Sequence, residues 1–239
     1  MADSIKEQIL TAFGNRLAAI RTANQYNSDM GAEVLRSFLP ALSSSIVPCI
    51  GFAEGVEENT ALYSRSQMNI LPVRVQGIAA FGDVLAPVMA GRLYADICEC
   101  VLCEEWTLSF DSGGTSQIVA GDRITGADSG ATALVISVSL QSGTWGAGNA
   151  AGQLLLRRVS GWFQDNENLN VGVSTNLAAV NGSPTGQGEV ELSTGGLADA
   201  ITFFSGEVHM PDADGQTVGA DITFNIRYDL IAGNPYSQE

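Results

Sequence analysis

The first apolar residues of the chain recur at helical spacing. Positions three or four apart lie side by side on a helix surface, so this stripe predicts one amphipathic helix. Asp3 and Ser4 come directly before it, and either is a suitable N-cap. The residues of the stripe are Ile5, Ile9, Phe13, Leu17 and Ile20.

Apolar runs of strand length follow this helix. Residues 34–39 form a short run that stops at Pro40, and residues 46–52 and 68–78 predict two strands. The loop between these two strands is acidic and polar, with three glutamates and an asparagine between residues 54 and 59. Pro48 and Pro72 fall inside the predicted strands. Each proline removes one donor from a strand ladder, so we expect these strands to lie at sheet edges or to carry bulges.

A second helix is predicted from about residue 84 to Glu105. Asp83 is its expected N-cap, and Pro87 is tolerated in a first helical turn. The helix would carry one apolar face. The residues of that face are Leu85, Met89, Leu93, Ile97 and Val101.

The composition changes abruptly after this helix. Residues 107–196 contain 16 of the 27 glycines but only three of the 11 basic residues. Short β runs punctuated by glycine occur at residues 118–119, 133–140, 154–159 and 169–173. Turn-dense short strands need glycine where φ is positive, whereas helices do not. We therefore predict an all-β domain at residues 107–196, inserted into a domain built from residues 1–106 and 197–239.

The chain ends in the most regular alternation of apolar and polar residues that it contains. Residues 200–210 predict one strand, residues 211–215 a turn, and the remainder a long antiparallel strand with one face on the helices and one face towards water or a partner. The fold class is therefore α+β, with two helices packed on an antiparallel β-sheet and an inserted all-β domain. Ile222, Phe224, Ile226, Tyr228 and Leu230 alternate with Thr223, Asn225, Arg227 and Asp229.

Charge and hydropathy restrict the possible partners. The formal net charge is −15 at pH 7, which argues against stable nucleic-acid binding, because phosphate contacts need clustered lysine and arginine. DNA could still pass nearby without binding. No stretch of about 18 apolar residues occurs, and the first residues lack the pattern of a signal peptide. We expect no membrane association and a protein made and kept in a cytosol.

Metal-binding patterns are weak. Three of the four cysteines lie between residues 98 and 103, but on a helix Cys98 and Cys100 point in nearly opposite directions and cannot converge on one ion. We interpret the cysteines as small apolar side chains in a reducing compartment. Asp212 and Asp214 resemble part of a calcium loop, yet Thr223 stands where a bidentate glutamate is needed. A turn explains these aspartates.

Catalytic patterns are also weak. His209 is the only histidine, and no Gly-x-Ser-x-Gly sequence accompanies it. The glycines of residues 146–152 fit a hairpin loop better than a dinucleotide loop, and Lys6, the only lysine, is not in a phosphate-binding loop. Asp165 and Glu167 are expected to be solvated loop acids. The sequence therefore predicts no enzyme, no cofactor, and no catalytic, cofactor-binding or metal-binding residues.

The two ends of the chain, taken together, resemble the tail terminator (tail completion) proteins of long-tailed bacteriophages. The resemblance covers roughly 150 positions and rests on the order of its segments. These are RLAAIRTA (residues 16–23), GAEVLRSFLP (31–40), LPVRVQ (71–76), GD (82–83), YADI (94–97), ITFNIRY (222–228) and GNP (233–235). Within the insert, residues 121–132 and 154–163 are similar to a small β module of phage structural proteins.

This resemblance implies a structural virion protein of the phage tail or neck, assembled in the cytoplasm of the host bacterium. Such a protein forms a homo-oligomeric ring of six subunits, which caps the tail tube, ends its polymerisation and provides the attachment surface for the head-side connector. Its partners would be further copies of itself, the tail tube protein and the head-tail connector protein. We expect the final strand and the strand at residues 68–78 to form subunit contacts, because sheets extend at exposed strand edges.

The insert offers an alternative function. Trp145, Trp162 and Phe163 lie among small polar residues, and aromatic side chains on a β module can stack on sugars or anchor a protein. The alternative is a virion binding module whose β insert recognises carbohydrate or a neighbouring virion protein. We expect these aromatic residues to fill the core of the insert instead.

Overall fold

The computed structural model describes residues 3–37, 47–63, 66–211 and 215–238. Within these ranges the helices are α1 (Ile5–Leu17), α2 (Ala86–Leu102) and α3 (Glu189–Thr194). The strands are β1 (Val34–Leu35), β2 (Cys49–Glu54), β3 (Glu58–Tyr63), β4 (Ser66–Ala80), β5 (Glu105–Gly113), β6 (Arg123–Gly126), β7 (Thr132–Ser142), β8 (Ala150–Ser160), β9 (Asn168–Val171), β10 (Ser174–Val180), β11 (Thr185–Gln187), β12 (Ala200–His209) and β13 (Thr217–Ile231).

The chain forms two compact units. The outer domain consists of Met1–Leu102 and Glu189–Glu239, and the insert consists of Cys103–Gly188. The insert thus begins and ends earlier than the predicted residues 107–196. Helix α3 accounts for the difference at the C-terminal boundary, because the buried Ser193 donates a hydrogen bond of 2.9 Å from its Oγ to the carbonyl oxygen of Val101 in α2.

The sheet of the outer domain is built around one pair of long strands. β13 pairs with β4 in antiparallel register along its whole length, from Thr217 opposite Ala80 to Ile231 opposite Ser66. The strand order is β1-β2-β4-β13-β12, and β3 also pairs with β4. The α+β fold class is confirmed, with one refinement: the sheet is mixed, because β1 runs parallel to β2.

Both long helices pack on one face of this sheet. In α1, the side chain of Ser4 accepts a hydrogen bond of 3.2 Å from the backbone N–H of Glu7, which confirms a predicted N-cap. Phe13 on the buried face of α1 lies 6.3 Å from Phe224 of β13, measured between ring centroids. All five residues of the predicted stripe are buried, although Ile20 lies beyond the end of α1 at Leu17, and their burial supplies much of the core of the domain.

Helix α2 differs from its prediction at both ends. Leu93, Ile97 and Val101 are buried, but Leu85 precedes the helix and is 75% exposed. The carbonyl oxygen of Leu85 accepts the first helical hydrogen bond, from Met89 at 3.0 Å, so the predicted N-cap Asp83 lies too early. The helix ends at Leu102 rather than at residue 105, where β5 begins.

No helix in the described part of the chain is both long and apolar enough to span a bilayer.

Pro72 does not mark a sheet edge. β4 has partners on both sides, and Pro72 stands opposite Asn225 of β13. On the other side, the pairing with β2 stops at Val73 and the pairing with β3 starts at Ile70, so the proline lies in the gap between these partners. The N–H that proline lacks is not needed there.

Two further details of this region differ from the prediction. The segment predicted as an acidic loop contains the strand β3, and Pro48 precedes β2 and does not lie within it.

The insert is a separate, entirely antiparallel sheet. Its strands follow the order β10-β9-β6-β7-β8-β5-β11, and an additional pairing of β10 with β5 closes six of them into a barrel-like ring. Closure leaves few free edges and encloses a core of apolar side chains. That core includes Leu108, Phe110, Val135, Leu154, Leu156 and Phe163.

The predicted strands of the insert are found with one exception. Residues 133–140, 154–159 and 169–171 lie in β7, β8 and β9, and the glycines of residues 146–152 lie around the β7–β8 hairpin loop, as predicted. Residues 118–119 are not in a strand; Ile118 is instead buried as a loop residue. Four strands of the insert, β5, β6, β10 and β11, were not predicted. For β10, which closes the barrel, the reason is that its sequence STNLAAV has no strong strand pattern.

Glu167 holds a loop of the insert together and is not a solvated acid. Only 2% of it is exposed. Its carboxylate accepts hydrogen bonds from the backbone N–H groups of Asp128, Ser129 and Gln164 and from the hydroxyl of Ser129. Burial acts to raise the pKa of Glu167, but these hydrogen bonds outweigh it, and the pKa is lowered. Asp165, by contrast, caps the exposed N–H of Gly182.

We predict that Glu167→Gln destabilises the insert by about 2 kcal/mol at neutral pH, because an amide cannot accept all four hydrogen bonds. Folding lowers the pKa of Glu167, so its contribution is complete above the ordinary carboxyl pKa and is lost as the pH falls through the lowered value. The difference from the wild-type free energy of unfolding, measured with urea, should therefore shrink in acid. The exposed neighbour Asp128→Asn is the control. Equal effects of the two substitutions at neutral pH would contradict this role.

Candidate functional site

The two faces of β13 differ sharply. Ile222, Phe224, Ile226 and Tyr228 face the helices and are buried, which confirms the predicted alternation. The opposite face of the sheet carries polar side chains on β13, whereas β4 contributes Arg74 and Gln76 together with apolar residues such as Ile70 and Ile78; none of the described helices packs on this face. It carries the residues at alternate positions of β13 and β4, which the strand register places side by side. We call this surface the open face.

A buried carboxylate lies at the centre of the open face. Asp221 is only 4% exposed. The Nε of Arg74 in β4 donates to both of its oxygens, at 2.7 and 2.8 Å, and Nη2 of Arg74 also contacts Oδ2. Gln76 donates a further hydrogen bond of 2.9 Å to Oδ2. The hydrogen bond with Asp221 is the main cause that raises the pKa of Arg74. This pairing holds a negative charge within the sheet surface.

The predicted strand histidine lies next to this carboxylate. His209 is in β12, and its Nε2 lies 3.7 Å from Oε1 of Glu207 and 3.8 Å from Oδ2 of Asp221. Glu207 stands directly opposite Asp221 in the register of β12 and β13. The structure thus brings His209 together with two acids, which the sequence did not predict.

β12 forms one edge of the sheet. Among the described residues it pairs with β13 alone, so one side of a ten-residue strand keeps unpaired N–H and C=O groups. Large apolar side chains along it are exposed: Phe203 by 44%, Phe204 by 66% and Val208 by 43%. Gly206 allows α2 to approach this strand, because a Cβ there would lie 2.7 Å from the ring of Tyr94. A long edge with exposed aromatic residues is a typical docking surface for another strand.

The two strands predicted to form subunit contacts are not exposed sheet edges, so that reason for the prediction is wrong, and the contacts themselves stay a prediction. The final strand and residues 68–78 form β13 and β4, which are the two central strands of the sheet. In β13, apolar and polar residues alternate regularly because helices cover one face of the sheet. Such regular alternation is therefore typical here of a central strand. Among the described strands, the longest edge is β12, whose alternation is interrupted by a register shift between Phe203 and Ser205.

A cavity of about 440 Å³ lies near the start of α1, close to Lys6 and Tyr228. The charged side chains that line it already have partners within the chain. Lys6 forms ion pairs of 2.8 Å with Glu54 and 3.3 Å with Glu57. The hydroxyl of the buried Tyr228 donates to Glu57, and burial, followed by this contact, raises the pKa of Tyr228. These partners stabilise the junction of α1 with the sheet, so we do not take the cavity as the functional site.

The aromatic residues of the insert divide into two groups. Trp145 and Phe163 are buried, as predicted, and Trp145 stacks on Phe110 with ring centroids 5.3 Å apart. Trp162 is 59% exposed, so the expectation that it fills the core is wrong. Its ring meets that of Trp106 edge to face, at 5.6 Å and 86°. Together they line a small cavity of about 110 Å³.

The other candidate ligands of the sequence do not form a site in the described residues. All four cysteines are thiols rather than disulfides, and Cys49 and Cys100 are buried. Burial raises the pKa of the Cys49 thiol, which makes it a poor nucleophile. Cys100 donates a hydrogen bond from its thiol to the carbonyl oxygen of Arg16. Asp212 and Asp214, the fragment of a calcium loop, lie outside the described residues.

Comparison with known proteins does not extend the resemblance noted in the sequence. No family model matches the chain, and no curated protein matches it. The functional argument therefore rests on the residues and on the geometry described above.

We predict a measurable coupling between Arg74 and Asp221. In a double-mutant cycle of Arg74→Gln and Asp221→Asn, the coupling free energy should be about 1 kcal/mol, because the pair is bidentate and its acid is buried, while the exposed arginine is screened by solvent. Urea unfolding of the two single variants and the double variant, in the presence of a chelator, measures it. Additive effects within about 0.3 kcal/mol would contradict the assigned pairing.

Proposed function

We propose that this protein is a structural virion protein that forms a ring on the end of a phage tail tube. The ring, of six subunits, ends polymerisation of the tube and provides the surface to which the head-side connector attaches. Two lines of reasoning support the proposal. The first is the ordered resemblance of residues 16–97 and 222–235 to tail terminator proteins. The second is the exposed edge strand β12.

The observation that carries the proposal is the unpaired edge of β12 with its exposed phenylalanines. In the proposed ring this edge joins a different surface of the next copy, which is a heterologous contact. Heterologous contacts close into a ring when their rotation divides a full turn. In a closed ring every β12 edge is covered, so no further subunit adds in the plane of the ring. The ring therefore acts as a cap.

The charge of the chain is compatible with this role. A ring on a tail tube surrounds the path of the DNA. A net charge of −15 repels phosphates and favours passage over binding. The few basic residues include Arg74 and Arg36, and both are paired with acids, Arg74 with Asp221 and Arg36 with Glu7 and Glu54.

We predict that substitutions on the β12 edge abolish the ring and leave the fold intact. Light scattering of the wild-type chain, with negative-stain images of the same sample, should give discrete rings, alone or on purified tail tubes. Phe204→Lys should give folded monomers that do not cap tubes, because a lysine on the edge blocks strand pairing. The matched control is Val173→Lys in the insert, an equally apolar site that is 99% exposed.

Two results would contradict this proposal. One is a wild-type chain that forms no ring either alone or with tubes. The other is an equal effect of Phe204→Lys and Val173→Lys on ring formation, which would place the contact away from β12. Circular dichroism of each variant separates loss of assembly from loss of folding.

A second candidate function is carbohydrate binding by the insert, and the exposure of Trp162 favours it. An exposed indole beside a second indole offers a stacking surface for a sugar ring. We expect bacterial surface polysaccharides to quench tryptophan fluorescence of the wild-type chain but not of Trp162→Ala, with Val173→Ala as the control. A monomer with saccharide affinity supports this function. A stable ring without saccharide affinity supports the tail cap.

A further inference from the structure

Three side chains with metal-binding groups meet on the open face beside the β12 edge. Glu207 and His209 are two positions apart on β12, so they project from the same face. Asp221 reaches the same point from β13, because the strand register places it opposite Glu207. One ligand atom from each residue lies within 4.8 Å of the other two. Within the described ranges, no other three histidine, cysteine, aspartate or glutamate side chains converge in this way.

The spacing of these atoms is close to that of a zinc site. Zinc binds nitrogen and oxygen ligands at about 2.0–2.2 Å, so two ligands of a tetrahedral ion lie roughly 3.4 Å apart. The Nε2 of His209 lies 3.7 Å from the Glu207 carboxylate and 3.8 Å from the Asp221 carboxylate. His209 and Glu207 are exposed, so small side-chain rotations close the remaining few tenths of an ångström.

The surroundings of Asp221 orient it for this role. Ligand carboxylates in metal sites are themselves hydrogen-bonded, which fixes their orientation. Arg74 and Gln76 hold Asp221 in this way, and both contact Oδ2, the oxygen that faces His209. The two acids and Arg74 leave a local charge of minus one, which attracts a cation. Arg74 also opposes the ion, because its guanidinium occupies the same carboxylate oxygen.

We propose that Glu207, His209 and Asp221 bind one divalent transition-metal ion, with Zn²⁺ as the expected occupant. One imidazole and two carboxylates form a nitrogen and oxygen donor set that suits zinc better than the hard cations Mg²⁺ and Ca²⁺, which take oxygen ligands alone. Three protein ligands leave a fourth position open to water. The ion links the edge strand β12 to the central strand β13. This inference does not depend on the proposed ring.

The test is calorimetric titration of the full chain with ZnCl₂ at neutral pH, after treatment with a chelator and dialysis. We expect one ion per chain and a rise in the unfolding temperature with zinc, by mass action. His209→Ala and Glu207→Gln should each weaken binding at least tenfold. Arg74→Gln should strengthen binding several-fold, because it removes the competing charge and leaves Gln76 in place. The control is Asp83→Asn, an exposed acid outside the site.

Several results would overturn the proposal. These are the absence of saturable zinc binding, an affinity that His209→Ala leaves unchanged, or complete displacement of zinc by excess MgCl₂, which would indicate binding to scattered surface carboxylates. His209 and Glu207 are exposed, so their substitution does not disturb the core. Urea unfolding of each metal-free variant checks this. Light scattering, measured separately, shows whether the ring persists when zinc binding is lost.

Discussion

The antiparallel pairing of β4 with β13 is the interaction on which the rest of the outer domain depends. It joins fifteen residues from the first part of the chain to fifteen near its end. All of the insert lies between them in sequence. Helices α1 and α2 pack on the face that these two strands share, and β2 and β12 extend the sheet on either side. Because the longest and most regular strands pair with each other at the centre, β12 forms one edge of the sheet within the described residues.

The sequence was most informative where one periodic pattern coincided with one element. The stripe of α1 and the alternation of Ile222 to Tyr228 were both confirmed, because burial on a single face imposes its own period. The place of a residue within the sheet, which depends on pairing between distant segments, could not be predicted from such a pattern. Pro72 indicated an edge, yet it lies in a gap between two partners of β4. β3 and β10 were missed because their neighbours in the sheet, rather than their own sequences, stabilise them as strands.

The same limit explains what could be predicted of the candidate sites. His209 was visible as the only histidine, but its partner Asp221 belongs to the next strand, and Arg74 lies 147 positions before Asp221. Only the register of β4, β13 and β12 brings these residues together. Glu167 looked like a loop acid, because sequence does not reveal that four donors surround it. Trp162 and Trp145 occur in similar sequence surroundings, but in the folded insert Trp145 is buried and Trp162 is exposed.

The central claim is that copies of this chain join at the free edge of β12, and backbone amide hydrogen exchange tests it most directly. The amides of β4 and β13 should be protected at every protein concentration, since they are paired within one chain. The account predicts that the outward-facing amides of β12 exchange rapidly in dilute monomer and become protected in samples that contain rings. Rapid exchange of these amides in samples with rings would contradict it, because the subunits would then meet at another surface.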